Sequence, residues 1–175
     1  MYRLLFAIMI GLFTFTAYAE TAPANPFTLT TNAFLDQGAL PVVYTCDGKD
    51  VSPQFEWSGA PDKTQSFAFI MLDPNTSKGI FYHWILYNIP KSVSALPEGK
   101  IPAGITVGKN GMNKVQYKGP CPPKGAAHNY IFTLYALDTK LTLESGADAN
   151  AVLAAMQNHI ISKTQLTAVY SRWIN

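Results

Sequence analysis

The chain places four polar side chains, capable of acid–base or hydrogen-bonding chemistry, beside apolar runs. An aspartate follows one run, a histidine lies near the start of the next, and a histidine and a tyrosine two residues apart open a third. If the first two runs pair as antiparallel strands, the aspartate and the first histidine emerge at the same edge of a sheet. Residues two apart in a strand share a face. We therefore expect a small polar pocket formed by Asp73, His83, His128 and Tyr130.

Three short apolar runs must position these side chains. Residues 66–72, 81–89 and 130–137 are apolar and rich in aromatic or β-branched residues, which predicts three strands. The runs end at Asp73-Pro74-Asn75, Pro90 and Asp138, which are typical of turns or strand ends. Strict alternation in the second run predicts that four side chains share one face, namely Phe81, His83, Ile85 and Tyr87.

The flanking segments predict two further strands and one helix. Residues 27–35 have a β-type composition, and residues 164–173 are expected to form a closing strand. Apolar side chains recur at helical spacing over residues 148–163, with Asp148 or Ser145 as the N-cap. On this helix His159 is expected to be a hydrogen-bonded core residue. The expected fold class is therefore mainly β, an antiparallel domain with long Pro/Gly-rich loops.

A stiff loop precedes the third strong strand. Residues 119–125 read Gly-Pro-Cys-Pro-Pro-Lys-Gly, and each proline fixes φ and removes a backbone donor. The few remaining N–H groups are expected to face a ligand in the pocket. Asp47, which follows Cys46, fits either a turn or the rim of that pocket.

The amino-terminal segment has the pattern of a secretory signal peptide. Arg3 precedes an uncharged apolar stretch, and Ala17-Tyr18-Ala19 supplies a small-x-small cleavage pattern. A retained anchor is the competing interpretation, but the stretch is shorter than the ~20 apolar residues of a membrane-spanning helix. We expect residues 1–19 to be removed and residues 20–175 to form one exported domain without a membrane span, periplasmic or secreted.

Composition argues against several classes of protein. The 175 residues are 48% hydrophobic and carry a net charge of only +2, which disfavours intrinsic disorder. The chain also lacks the basic runs of nucleic-acid-binding proteins, so no nucleic-acid partner is expected.

Export changes the interpretation of the two cysteines. Cys46 and Cys121 are the only cysteines, and in an oxidising compartment a widely spaced pair more often forms a disulfide than a metal site. A disulfide also requires a short Cα separation, which the sequence leaves open.

No catalytic motif accompanies the polar residues. The chain lacks a Gly-x-Ser-x-Gly elbow, a phosphate-binding Walker sequence and a His-Glu-x-x-His zinc helix. The three histidines lack the short spacings of a metal site. We therefore expect neither an enzyme, nor a cofactor, nor a metal.

The order and spacing of these motifs resemble those of the phosphatidylethanolamine-binding protein family, in its bacterial Raf-kinase-inhibitor-like branch. The resemblance extends from about residue 27 to residue 170. The residues that carry it are Tyr44-Thr45-Cys46-Asp47-Gly48, Ser52-Pro53, Trp57, Asp73-Pro74, His83-Trp84, Asn88-Ile89-Pro90, Gly119-Pro120-Cys121-Pro122-Pro123 and His128-x-Tyr130.

The resemblance implies two antiparallel sheets with an anion pocket at one end. Asp73, His83, His128 and Tyr130 match the positions that line this pocket in the family, with Pro122 and Pro123 in its wall and Gly119 beginning the same loop. One departure is evident. Many relatives have Asp-Pro-Asp-Ala-Pro where this chain has Asp73-Pro74-Asn75-Thr76-Ser77, so a second acid and a second proline are missing.

These observations predict a protein that binds small anions such as phosphomonoesters or phospholipid headgroups. An acid within about 4–6 Å favours the cationic form of a histidine, so Asp73 is expected to orient and charge an imidazole that donates to the anion. The alternative, implied by the same resemblance, is a protein-interaction inhibitor, for example of a serine protease.

Overall fold

Two β-sheets and one α-helix form the part of the chain described by the computed structural model, residues 26–173. The predicted signal peptide, residues 1–19, lies outside the described residues. Within residues 26–173 no helix is long and apolar enough to span a membrane.

The larger sheet has six strands and the smaller sheet has three. In the larger sheet the order is β2-β9-β8-β4-β5-β7, and in the smaller sheet it is β1-β3-β6. Among the named strands of residues 26–173, only β2 and β9 pair in parallel. The strands are β1 (Thr28–Thr30), β2 (Gly38–Ala39), β3 (Phe55–Ser58), β4 (Ser66–Thr76), β5 (Gly79–Pro90), β6 (Ala95–Leu96), β7 (Thr106–Val107), β8 (Ala127–Leu137) and β9 (Ile160–Ser171); the helix is α1 (Ala149–Met156), and a 3₁₀ turn spans Val42–Tyr44.

Apolar side chains cover both faces of the six-stranded sheet. One core cluster lies between the two sheets, where Phe55 of β3 packs on Phe69 and Phe132 with ring centroids 4.8 and 5.1 Å apart. The other lies between the sheet and α1 and includes Ile70 and Val152. Burial on both faces explains why β4 reads as a continuous apolar run rather than an alternating one.

The three strong strands are confirmed as adjacent antiparallel neighbours, but β4 is longer than predicted. Its pairing with β8 ends at Leu72, as the turn chemistry indicated, yet its pairing with β5 continues from Asp73 to Thr76. The prediction that the strand stops at residue 72 is therefore wrong. Pro74 is tolerated there because this end of β4 pairs on one side only, where no second partner needs a donor.

The helix is shorter than predicted, and the strand after it starts earlier. Of the two expected candidates, Asp148 is the N-cap, and its side chain accepts a hydrogen bond from the N–H of Ala151 at 2.9 Å. The helix ends at Met156, because the chain turns over the next three residues and Ile160 pairs with Leu137 at the start of β9. The ladder between β8 and β9, which begins at Ile160, overrides the helical pattern of residues 157–163.

Two smaller predictions are corrected. Of residues 27–35, only Thr28–Thr30 form a strand. His159 is exposed rather than a core residue, and its Nδ1 lies 2.8 Å from Asp138 Oδ1. Its position follows from the early end of the helix, which leaves it in a turn at the surface.

Candidate functional site

Asp73 and His128 form a buried pair at one end of the six-stranded sheet. Asp73 lies just beyond the last β4–β8 pair, and His128 lies near the start of β8. Their side chains meet with His128 Nδ1 2.7 Å from Asp73 Oδ2, and the residues are only 9% and 3% exposed. The other carboxylate oxygen, Oδ1, accepts the backbone N–H of Asn75 at 2.7 Å. Both oxygens of Asp73 are therefore occupied, which orients the His128 ring with Nε2 as its free nitrogen.

A β-bulge brings His83 to the same place. Met71 pairs with Trp84 and Leu72 pairs with Tyr82, so His83 is the extra residue of β5. Its ring lies 5.3 Å from that of Tyr130, on the face between the sheets. The prediction that His83 shares a face with Ile85 and Tyr87 is wrong, because the bulge shifts the alternation and those two residues pack in the cluster under α1.

Hydrogen bonding determines which nitrogen of His83 is free. His83 Nδ1 lies 2.6 Å from the carbonyl oxygen of Lys118, and the N–H of Lys118 donates to the carbonyl of His83 at 3.0 Å. A carbonyl only accepts, so Nδ1 carries the proton and Nε2 is left with a lone pair. Burial lowers the pKa of His83 from 6.5 to about 4, against smaller opposing effects that include the Lys118 carbonyl and Asp73. The imidazole is therefore neutral at neutral pH.

Tyr130 lies behind this pair of histidines. It is fully buried, and within the described part of the chain its hydroxyl has no hydrogen-bond partner. Burial and the nearby charge of Asp73 both raise the pKa of this hydroxyl. Tyr130 does not line the cavity that the histidines face, so its hydroxyl acts on that cavity only through its neighbours.

Asp73 and both histidines open onto a cavity of ≈ 430 Å³, a size typical of small-ligand sites. The hairpin between β4 and β5 forms one side, and the proline-rich loop forms the other. The remaining lining residues are Asn75, Thr76, Ser77, Phe81, Met112, Lys118, Gly119, Cys121, Pro122 and Pro123. Six of the seven pocket residues predicted from the sequence therefore line one cavity, and the seventh, Tyr130, packs behind it.

The proline-rich loop offers fewer donors than the sequence suggested. The N–H of Gly119 already donates to Asp50 Oδ1 at 2.5 Å. Since residues 120, 122 and 123 are prolines, the N–H of Cys121 is the only other backbone donor between 119 and 123. Gly119 is instead needed for close packing, because a Cβ there would lie 2.5 Å from both Asp50 Oδ1 and the carbonyl oxygen of Tyr44.

The loop is held by a disulfide. Cys46 and Cys121 are bonded, with their Cα atoms 5.4 Å apart, which confirms the pairing that the sequence left open. The N–H of Cys46 also donates to the carbonyl of Pro120 at 3.0 Å. The wall of the cavity is thus covalently tied to the segment that follows the 3₁₀ turn.

Asp50 is a residue of this site that the sequence analysis missed. Its carboxylate accepts the Gly119 N–H with one oxygen and the Lys118 ammonium, at 2.5 Å, with the other. It thereby fixes the segment whose carbonyl holds His83. Asp50 lies in a loop with a φ of 56°, a conformation that aspartate tolerates better than most residues. The only sequence signal was a turn-type composition, since strand periodicity says nothing about loops.

The departure at residues 75–77 keeps one useful contact. Asn75 Oδ1 accepts the backbone N–H of Asn129 at 2.8 Å, which ties the β4–β5 hairpin to β8. An acceptor is required there, and the amide oxygen supplies it without adding a second negative charge beside Asp73. The hairpin is therefore anchored even though the second acid is missing.

Asp47 belongs to a different cavity. Its carboxylate binds Arg172 through Nε and Nη2 and accepts the hydroxyl of Tyr170 at 2.7 Å. Hydrogen bonds from Arg172 and Tyr170 lower the pKa of Asp47. This group lines a cavity of ≈ 330 Å³ with Lys124 and Trp173, so Asp47 is not on the rim of the histidine pocket.

Comparison with known proteins gives a consistent result. The family model described as phosphatidylethanolamine-binding protein matches residues 30–171. A UPF0098 protein of Methanothermobacter thermautotrophicus is 42% identical over 149 residues, which are 82% of this chain and 98% of the relative. A UPF0098 protein of Aquifex aeolicus is 40% identical over 146 residues, 80% of this chain and 85% of that relative.

Two solved structures share the fold. A Chlamydia trachomatis protein described as a phosphatidylethanolamine-binding protein homolog is 35% identical with a TM-score of 0.80, covering 85% of this chain and 99% of its own. Escherichia coli YbcL, described as a member of the mammalian PEBP family, is 31% identical with a TM-score of 0.79, covering 83% and 98%. The family match over most of the chain, together with these relatives, places the chain in the phosphatidylethanolamine-binding protein family.

Proposed function

We propose that this protein binds small anions, phosphomonoesters or phospholipid headgroups, in the cavity beside Asp73, His83 and His128. The observation that carries the proposal is the buried Asp73–His128 pair next to a third buried polar ring, all opening onto one cavity. Buried polar rings that keep an unpaired nitrogen beside a cavity are characteristic of ligand sites.

The charge distribution supports an anionic ligand. A bare carboxylate would repel a phosphate, but both oxygens of Asp73 are already engaged by His128 and Asn75. Lys118 lines the cavity and gives one hydrogen to Asp50, so its ammonium keeps two hydrogens for a ligand. His128 also lines the cavity, and within the described residues its Nε2 has no protein partner.

The size and lining of the cavity support a headgroup rather than a whole lipid. A volume of ≈ 430 Å³ accommodates a small phosphate ester, while the side chains around it include the apolar groups of Phe81, Met112 and the two prolines. An acyl chain needs a long apolar tunnel, whereas this cavity is lined by polar as well as apolar residues.

Calorimetry with phosphoethanolamine tests the proposal. At pH 5.5, where the phosphate still carries a P–OH, we expect the wild-type chain without residues 1–19 to bind it and His83→Ala to bind at least about tenfold more weakly, because a buried polar contact is lost. His159→Ala is the matched control, since it removes an exposed histidine that also pairs with an aspartate. Equal affinities for wild type and His83→Ala would contradict the site.

Export and the inhibitor alternative stay predictions. The segment on which export depends lies outside the described residues. A panel of serine proteases, assayed with wild type and with His83→Ala, separates the two functions. An inhibitor that does not use the His83 pocket should act equally well in both forms.

A further inference from the structure

The cavity presents a hydrogen-bond acceptor on a buried residue of its lining, His83. His83 Nδ1 donates to the Lys118 carbonyl, so the nitrogen left for a ligand is Nε2, which carries a lone pair. Among residues 26–173 Nε2 has no partner, and it is not one of the sealed, unpaired atoms such as the Tyr130 hydroxyl oxygen. A ligand that fills the cavity must therefore bring a proton to this nitrogen or leave it unsatisfied.

The groups around His83 keep it in this state. The charged groups that face it are Asp73 on β4 and the loop pair Lys118 and Asp50, while His128 and Tyr130 of β8 are the other titratable neighbours. Burial outweighs the attraction of the acids and holds the pKa of His83 at about 4. The Lys118 carbonyl, itself fixed through Asp50, maintains the Nδ1–H tautomer.

Phosphate esters differ in whether they supply that proton. A monoester has a second pKa of about 6, so below that pH it carries one P–OH together with its negative charge. A diester is also a monoanion, but every oxygen of its phosphate is an acceptor. Only the monoester can both donate to the lone pair of His83 and accept from the Lys118 ammonium, two groups that line the same cavity.

We propose that the pocket selects phosphomonoesters that still carry a P–OH proton over phosphodiesters, because His83 Nε2 accepts that proton in a hydrogen bond. The inference rests on the proposed anion-binding function and specifies its ligand class. The proton stays on the ligand, and no bond is made or broken.

Calorimetry with methyl phosphate and dimethyl phosphate between pH 5 and 7.5 tests this selection. At pH 5.5 we expect methyl phosphate to bind more than about tenfold more tightly than dimethyl phosphate, since an unmatched buried acceptor costs roughly that factor or more. Above pH 6 its affinity should fall by up to about tenfold per pH unit as the P–OH ionises. Equal affinities of the two esters at pH 5.5, or tighter binding of methyl phosphate at pH 7.5 than at pH 5.5, would overturn the selection while leaving anion binding intact. If neither ester binds, the proposed function fails as well.

A substitution at the acceptor sharpens the test. His83→Gln places an amide that either accepts or donates, so the preference for methyl phosphate should shrink to less than about threefold, mainly through tighter binding of the diester. His159→Gln is the control and should keep the full preference. An unchanged preference in His83→Gln would contradict the role of His83.

The ligand-free protein offers an independent measurement. Nitrogen chemical shifts distinguish the two neutral tautomers, and we expect His83 to show a protonated Nδ1 and an unprotonated Nε2 at pH 6. A proton on Nε2 would overturn the inference whether or not any ester binds.

Discussion

Two aspartate–histidine pairs in this molecule have almost the same local geometry and very different surroundings. In both, the histidine Nδ1 faces one carboxylate oxygen, at 2.7 Å for Asp73–His128 and at 2.8 Å for Asp138–His159. The side chains of the first pair are 4% and 11% exposed, whereas those of the second are 44% and 45% exposed. Only the first lines a described cavity.

The difference shows that the pair itself does not make a site. An exposed pair is screened by water and contributes little, while a buried pair has lost its hydration and depends on each partner for compensation. The second pair joins the end of β8 to the turn before β9, where water competes for every contact. The chemistry proposed for the first pair therefore comes from burial and an adjoining cavity.

Removing the aspartate from each pair should give the largest difference between the two pairs. We expect Asp73→Ala to lower the free energy of unfolding by about 3–5 kcal/mol, because it strands buried polar groups, and Asp138→Ala to lower it by at most about 1 kcal/mol. Urea denaturation measures both. Similar losses in the two variants would mean that burial does not distinguish the pairs.

The pH dependence of stability should single out the buried His83. Burial lowers its pKa from 6.5 to about 4, so between these values the unfolded chain binds a proton that the folded chain does not. The free energy of unfolding should therefore fall by up to about 3 kcal/mol as the pH drops from 6.5 to 4. His83→Gln should remove this contribution and His159→Gln should not. Identical pH profiles of stability for wild type and His83→Gln would contradict the assignment to His83.

Substitution of two aspartates in one loop, Asp50 and Asp47, is expected to have the smallest effect. Asp50→Asn keeps an acceptor for Gly119 but loses the ion pair with Lys118, so we expect a loss of roughly 1–2 kcal/mol and weaker phosphoethanolamine binding. Asp47→Asn removes a charge that faces the other cavity and should leave that binding unchanged. Calorimetry separates the two, and equal effects on binding would show that Asp50 does not organise the pocket.

Local patterns were enough to predict most of the scaffold. The three strong strands, the hairpin that joins two of them and the Asp148 cap depend on neighbouring residues, and all are present. Asp73 and His83 were expected at one sheet edge if their strands pair, because strand ends are marked by local turn chemistry. The disulfide followed from an expected compartment and needed the Cα distance to be established.

Other features depend on contacts between distant parts of the chain. The bulge at His83 arises from the register between β4 and β5, and a single extra residue changes the face that Ile85 and Tyr87 occupy. His159 lies outside the helix in which it was expected, because β9 pairs with β8 along its length. Asp50 joins the site across 68 and 69 residues of sequence.

The amino-acid sequence alone determined the three strong strands and the polar residues near their ends, since both follow from side-chain types within a few positions. Only the tertiary structure decided that His83 offers an acceptor, that Tyr130 is sealed behind it and that His159 is exposed. The physical reason is that register, desolvation and loop closure are set by non-local contacts, whose free energies outweigh local preference.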